Sequence, residues 1–385
     1  MNCRKRILIV AGEASADRYG ARLVEQLRRM HGPEPMCFYG TGGDEMQNAG
    51  VKLLSHIREL AHIGVREALS GLKAYYRTYQ SLIAESARQR PDVAILLDFP
   101  EFNLRLAKRM KRQGVKVIYY IGPQIWAWRS WRIRKIRKYV DKMLVILPFE
   151  EEYYRNRGVE VEFVGHPLLE GFTPNFDRIS FLSSRSLDPA QKTIAILPGS
   201  RRKEVDYILP VMLKAAKCVL LSAPVQFLIS VAPTVDPDHV RSLIQSEFQG
   251  DPNMNCLRIV TADSRDILAN SDFAFVKSGT SSLEAALVGT PFLITYKISS
   301  LSWAIGAVLI RTSMKGLVNL IAGEEIVPEL FQDEARPEEL ARLALEYMEK
   351  PDKSAAMRSK LAAVRDRLGV RCASASAAVT VSSYL

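Results

Sequence analysis

Four short stretches carry residues whose types and spacing could do chemistry. In "LLDFPEFN" Asp98 closes an apolar run. A carboxylate at the carboxyl end of a strand can take a proton from a hydroxyl, or it can simply cap the helix that follows. "AGEASAD" sets Glu13, Ser15 and Asp17 after another apolar run, without the Gly-x-Gly-x-x-Gly spacing of a dinucleotide site. In "ILPGSRRKE", Gly199 and Ser200 lead into Arg201, so a backbone that allows close approach adjoins a fork-shaped donor suited to phosphate. "FVKSGTSSLEAAL" runs from Lys277 through Ser278, Gly279, Thr280 and Ser281 into a helical pattern. The first N–H groups and the dipole of such a helix favour an anion. Ser281 with Glu284 three residues later also reads as a capping box, which would satisfy the same helix start with no ligand.

Other candidates have plainer alternatives. "PQIWAWRSW" places Trp126, Trp128, Arg129 and Trp131 together, a chemistry for stacking on a sugar, for lying at a membrane interface, or for ordinary packing. Asp236-Pro237-Asp238 has the form of a metal-holding triplet but precedes a helical pattern and reads as its cap. His166 in "VGHPL" has no ligand-type partner nearby and reads as part of the turn between the two halves of the chain, with a role in a cleft as the alternative. The five cysteines are dispersed without Cys-x-x-Cys spacing, which argues against a zinc site or a disulfide framework and fits a reducing compartment.

The elements that must position these residues follow from periodicity. Short apolar runs alternate with helical patterns through both halves of the chain, which predicts mostly parallel sheets with helices on both faces and ligands at the carboxyl ends of strands. A length of 385 residues suits two such domains. The loop-like composition of 166–191 divides them, giving a first domain over 1–168 and a second over 190–345. A helical tail over 346–385 could pack back onto the first domain. The opening apolar run, Ile7 to Ala11, is too short for a signal peptide and reads as a buried strand.

The formal charge of +11 points to phosphate-bearing partners. Much of it is concentrated between Arg105 and Lys142, where a solvated face is the alternative, and no recognised nucleic-acid motif accompanies it. No apolar run approaches the roughly 20 residues of a membrane span. Two segments, 298–310 and 59–77, could be core helices or could dip into a bilayer surface.

Taken in order, "GEASAD", "DFPEFNLRLAK", "PQIWAWR", "VGHPL", "LPGSR", "KSGTSSLEAAL" and "NLIAG" resemble the lipid-A-disaccharide synthase family over nearly the whole chain. Departures from its usual pattern are Ala16, Gly122 and Val318. The resemblance implies an α/β, GT-B fold, two doubly wound Rossmann-like domains facing a central cleft. It implies transfer of 2,3-diacylglucosamine from UDP-2,3-diacylglucosamine to 2,3-diacylglucosamine 1-phosphate (lipid X), with inversion, and no cofactor or metal. Asp98 would be the base, with Glu13 and Ser15 orienting the acceptor or supporting Asp98. Gly199, Ser200, Arg201, Lys277 and the helix start from Ser278 to Ser281 would hold the UDP pyrophosphate. Glu284 would bind the ribose, and Asn319 would be a further donor-side residue. Trp126, Trp128 and Arg129 would face acceptor or membrane. The partners expected are the two lipid substrates and the cytoplasmic face of the inner membrane, peripherally, without nucleic acid; the oligomeric state stays open, a homodimer included.

Overall fold

The computed structural model describes residues 5–32, 35–61, 68–298, 316–369 and 372–385. Residues 62–67 and 299–310, within the two apolar segments singled out above, lie outside the described residues. The chain forms two α/β units, Met1–Gly171 with Leu368–Leu385, and Phe172–Arg367.

The first unit contains seven strands: β1 (Lys5–Val10), β2 (Met36–Gly42), β3 (Lys52–His56), β4 (Val93–Leu97), β5 (Lys116–Tyr120), β6 (Lys142–Val145) and β7 (Val161–Phe163). They lie in the order β3-β2-β1-β4-β5-β6-β7, every pairing parallel. Ile7 and Ile9 of β1 enter the core on one face of the sheet, while Leu8 and Val10 enter the core on the other. A strand buried on both faces needs an unbroken apolar run, and that is what the sequence shows. From β1 the chain winds outward to β2 and β3, and from β4 it winds the opposite way, so the crevice of this sheet opens at the carboxyl ends of β1 and β4.

The second unit repeats the plan with β8 (Lys192–Leu197), β9 (Val225–Ser230), β10 (Leu257–Val260), β11 (Phe273–Lys277), β12 (Phe292–Tyr296) and β13 (Glu329–Phe331). Their order is β10-β9-β8-β11-β12-β13, again all parallel, with the reversal between β8 and β11.

Between strands run amphipathic helices. The one over Pro100–Arg112 starts with proline in its first turn, where the missing N–H costs nothing, and buries Phe102, Leu106, Ala107 and Met110 at three- and four-residue spacing. Its basic residues therefore form the opposite, exposed face. At the chain's end, the helix Pro351–Arg367 stays in the second unit, whereas Ala373–Ser382 belongs to the first. Ala373, Ala377 and Val381 join the core beside Ile7 and Ile9, and Ser374 donates its N–H and hydroxyl to Glu170 at 2.5 and 2.9 Å. One expectation is corrected at Cys37, which is disulfide-bonded; Cys218, Cys256 and Cys372 are free thiols. No helix among the described residues is long and apolar enough to cross a membrane.

Candidate functional site

Each sheet carries its candidate residues at its own reversal of winding. In the first unit the turn after β4 holds Asp98 and Phe99 in the left-handed region, both at φ 45°. Non-glycine residues there cost of order 1–3 kcal/mol each unless their surroundings fix them. Here the surroundings do. The Asp98 N–H donates to the Tyr120 carbonyl at 3.2 Å. Its own carbonyl accepts from Asn103 Nδ2 at 2.8 Å and from the Tyr119 hydroxyl. Asn103 Nδ2 also reaches the Leu97 carbonyl at 3.0 Å.

The neighbouring turn is drawn in by close packing. A Cβ on Gly12 would stand 2.4 Å from Cγ of Phe99, so the ring occupies the space that only glycine leaves and sets the β1 turn against the β4 turn. The cap of the helix Pro100–Arg112 is Phe99, with no side-chain bond, so capping is not the role of Asp98. Burial, then the charge of Glu13, then the hydrogen bond that the protonated carboxyl donates to Glu13 push Asp98 up to about 7. Ser15 donates its hydroxyl to Glu13 Oε1 at 2.9 Å. Asp17, by contrast, is buried and accepts three backbone N–H groups, from Gly43, Glu45 and Met46, which makes it the anchor of the loop after β2. His166 takes the Leu168 N–H on Nδ1 at 3.1 Å, and burial pulls it down to about 4, so it is a neutral ring serving its own turn.

Of the tryptophans, Trp126 is engaged in packing. Its Nε1 donates to Glu150 at 3.0 Å, and its ring meets Phe149 edge to face at 5.0 Å. Burial raises Glu150 to about 7 against the lowering effect of its bond from Trp126. Trp128 and Trp131 are exposed. The Arg129 guanidinium lies 4.3 Å over the Trp128 ring, and Arg129 and Arg132 both pair with Glu101, which ties this segment to the start of the helix after Asp98.

In the second unit one residue joins the turns after β8 and β11. Glu204 pairs with Lys277 at 3.1 Å and with Arg201 at 3.6 Å. Gly199, at φ 120°, makes room for it, since a Cβ there would lie 2.7 Å from Glu204 Oε2. Gly279, at φ 147°, makes room for Lys277, whose Nζ would stand 3.3 Å from an added Cβ. Lys277 is thus neutralised from one side, while Arg201 is 76% exposed and free to reach a ligand. Ser200 offers its carbonyl to the Thr234 hydroxyl at 2.5 Å, and the Ser278 N–H donates to Thr295 at 3.1 Å.

The capping box is corrected. The helix spans Thr280–Val288, its cap is Gly279, and no side chain bonds to it. Ser281 lies inside the first turn, beside Thr280, and Glu284 accepts from the Ser264 hydroxyl at 2.8 Å instead. The first turn of this helix is therefore without a side-chain cap. Asn319 is also corrected. Its Nδ2 donates to Val327 and Glu329, its Oδ1 accepts from Ile326 and Val327, and it is fully buried. All four hydrogen-bonding positions of its amide are filled, so none remains for a nucleotide. Asp236 accepts the Asp238 N–H at 3.0 Å and caps the helix Pro237–Phe248, as the sequence predicts.

Sequence reasoning passes over Glu204, Asn103 and Tyr119. The first lies three residues past Arg201 on a helix start, a spacing at which a carboxylate meets a cation, and Asn103 lies within the "DFPEFN" stretch itself. Tyr119 carries no local signal.

Comparison with known proteins fits this geometry. The family model described as lipid-A-disaccharide synthetase matches residues 7–380. A lipid-A-disaccharide synthase from Syntrophus aciditrophicus is 43% identical over 377 residues, 97% of this chain and 96% of that protein. One from Koribacter versatilis is 40% identical over 363 residues, covering 94% and 93%. Among solved structures, the UDP-GlcNAc 2-epimerase from Neisseria meningitidis bound to UDP-GlcNAc aligns at TM-score 0.64 with 12% identity, covering 98% of this chain and 99% of that one. The calicheamicin glycosyltransferase aligns at 0.59 with 15% identity, covering 99% and 98%. These likenesses fix the fold as two Rossmann-like domains of the GT-B type. By the match along almost its entire length, the chain belongs to the lipid-A-disaccharide synthetase family.

Proposed function

We propose that this chain transfers 2,3-diacylglucosamine from UDP-2,3-diacylglucosamine to the 6-hydroxyl of 2,3-diacylglucosamine 1-phosphate, releasing UDP and forming a β-1,6-linked lipid A disaccharide. Family membership supports the reaction. One observation carries the mechanism: a half-buried carboxyl, pushed up to about 7, stands at the switch point of the first sheet. A general base works best when its pKa lies near the operating pH, since it is then both ionised and strong enough to accept the proton.

Asp98 takes the proton of the acceptor's 6-hydroxyl as that oxygen attacks the anomeric carbon opposite the departing UDP. A single displacement inverts the centre. Glu13, held by Ser15, raises the basicity of Asp98 and orients the acceptor. In the second unit Arg201, Lys277 and the N–H groups at Gly279, Thr280 and Ser281 stabilise the negative charge that builds on the leaving pyrophosphate. Gly199, Ser200 and Ser278 shape the backbone around it, and Glu284 at the same helix addresses the ribose. Both substrates are acylated and bear phosphate, so the enzyme works as a peripheral protein at the cytoplasmic face of the inner membrane, its exposed Trp128, Arg129 and Trp131 being suited to that interface. Incubation of the purified protein with the two substrates in mixed micelles yields disaccharide 1-phosphate and UDP in equal amounts. Release of UDP without disaccharide, or no reaction, would refute the proposal.

A further inference from the structure

A cavity in the first unit lies apart from the Asp98 turn. It is a trough of about 1340 Å³ between the helix Ala68–Gln89 and the helix Pro100–Arg112, with Lys135 and Tyr139 of the helix Ile133–Tyr139 also lining it. That volume exceeds the roughly 300–1,000 Å³ of an ordinary small-molecule pocket. Its walls are aromatic and aliphatic: the rings of Tyr75 and Tyr79 stand edge-on to Phe102 at 4.9 and 5.7 Å, and Leu104 and Tyr139 continue the surface. Lys73 and Arg77 from one helix and Arg105, Lys108, Arg109 and Arg112 from the other line its rim. Lys135 adds a seventh cation, and among the described residues no aspartate or glutamate lines the trough. Among the described residues none of the seven forms an ion pair, whereas Lys111, on the same helix but outside the trough, pairs with Asp141.

An apolar trough beneath unpaired cations matches one ligand chemistry, an acyl chain attached to an anionic head. The trough also communicates with the chemistry. Tyr75 meets Phe99 at 6.1 Å, and Phe99 is the residue next to Asp98 that packs on Gly12. From Leu104 the lining runs along the helix that begins immediately after the Asp98 turn. At 1.5 Å per residue this helix extends about 18 Å from that turn, enough for an extended chain to lie along it.

We propose that this trough is an acyl-chain subsite for the acceptor, holding a chain of the anionic acylated sugar against Tyr75, Tyr79 and Leu104 while the rim cations hold the molecule's phosphate side. The inference rests on the proposed reaction and adds where its acceptor is gripped. Residues along the rim thereby set which chain lengths are accepted.

Two variants test it, Ala84→Trp, which narrows the trough from an exposed position, and Arg105→Glu with Arg109→Glu, which reverses the rim charge. KM is measured for a long-chain and a short-chain acceptor, each with UDP affinity as the check on folding. Ala84→Trp raises the long-chain KM about tenfold more than the short-chain KM, and the double reversal raises KM for both by about tenfold or more. Equal KM values for wild type and both variants overturn the subsite. So does a loss confined to flotation with anionic phospholipid vesicles at unchanged KM, which would make the trough a bilayer-docking surface. Wild-type protein that forms no disaccharide with either acceptor refutes the proposed reaction instead, so the two failures are distinct.

Discussion

At the reversal of the first sheet the Asp98 carboxyl stands beside the carboxylate of Glu13, whereas at the same topological position of the second sheet the carboxylate of Glu204 meets Lys277 and Arg201. The strand orders around the two positions correspond, so topology supplies only the crevice. What differs is the sign of the neighbours. Burial and a like charge disfavour ionisation and raise the Asp98 carboxyl, as the proposed base requires, while opposite charges offset one another and leave the second turn net positive, as the proposed phosphate site requires. Glycine serves both sites, Gly12 admitting the Phe99 ring and Gly199 admitting Glu204.

The largest effect that could break this contrast is at Asp98. Asp98→Asn should lower kcat by about 10²–10⁴ with UDP affinity unchanged, read by product formation and by calorimetric titration with UDP. Stability should move the other way. Because the folded pKa, about 7, lies above the unfolded value of 3.8, the native state binds more protons between those limits, and wild-type stability falls as pH rises from about 4 to 7. The Asn variant lacks that penalty and should melt higher than wild type at pH 8, with the gap closing toward pH 4. An Asn variant that is both inactive and less stable at pH 8 would show Asp98 to be a structural residue.

At the second site the two cations should separate. Lys277→Met leaves Glu204 with only the exposed Arg201 at 3.6 Å, so it should weaken UDP binding and also destabilise the protein by about 1–3 kcal/mol. Arg201→Ala removes an exposed side chain and should weaken UDP binding by about tenfold or more with little change in melting temperature. Equal losses of stability would mean that Arg201 is part of the scaffold. Smallest is Asp236→Ala, which loses a helix cap and about 1 kcal/mol of stability without changing kcat. A lost activity restored by divalent metal would show the Asp236-Pro237-Asp238 triplet to be more than a cap.

Much of the fold is legible in the sequence because its signal is local. Strand β4 and the part of β1 from Ile7 onward are buried on both faces and must be apolar, and the helix Pro100–Arg112 must show its three-and-four spacing. Asp98 is legible as a strand-end carboxylate, but its competing role as a cap is excluded only by the backbone, since Phe99 takes the cap position at positive φ. Ser281 and Glu284 satisfy the capping-box spacing, yet Gly279 starts the helix earlier than that spacing implies, and Ser264 takes the glutamate. Asn319 stands in a short glycine-flanked helix and is spent on a loop seven to ten residues away, whose path no local pattern fixes. The Glu204–Lys277 pair is formed across paired strands far apart in the chain, so its composition is visible in the sequence and its partnership is not.

The central claim is that the base is Asp98 and that burial, with Glu13 adding to it, sets its strength. The pH dependence of kcat/KM, measured side by side for wild type and Glu13→Gln, tests it most directly. Wild type should show an acid limb with its inflection near 7, activity rising with pH as Asp98 ionises. Removing the neighbouring charge should shift that inflection to lower pH, whatever it does to the plateau. An inflection that stays in place in Glu13→Gln, or a wild-type rate independent of pH between 5 and 8, would contradict the account.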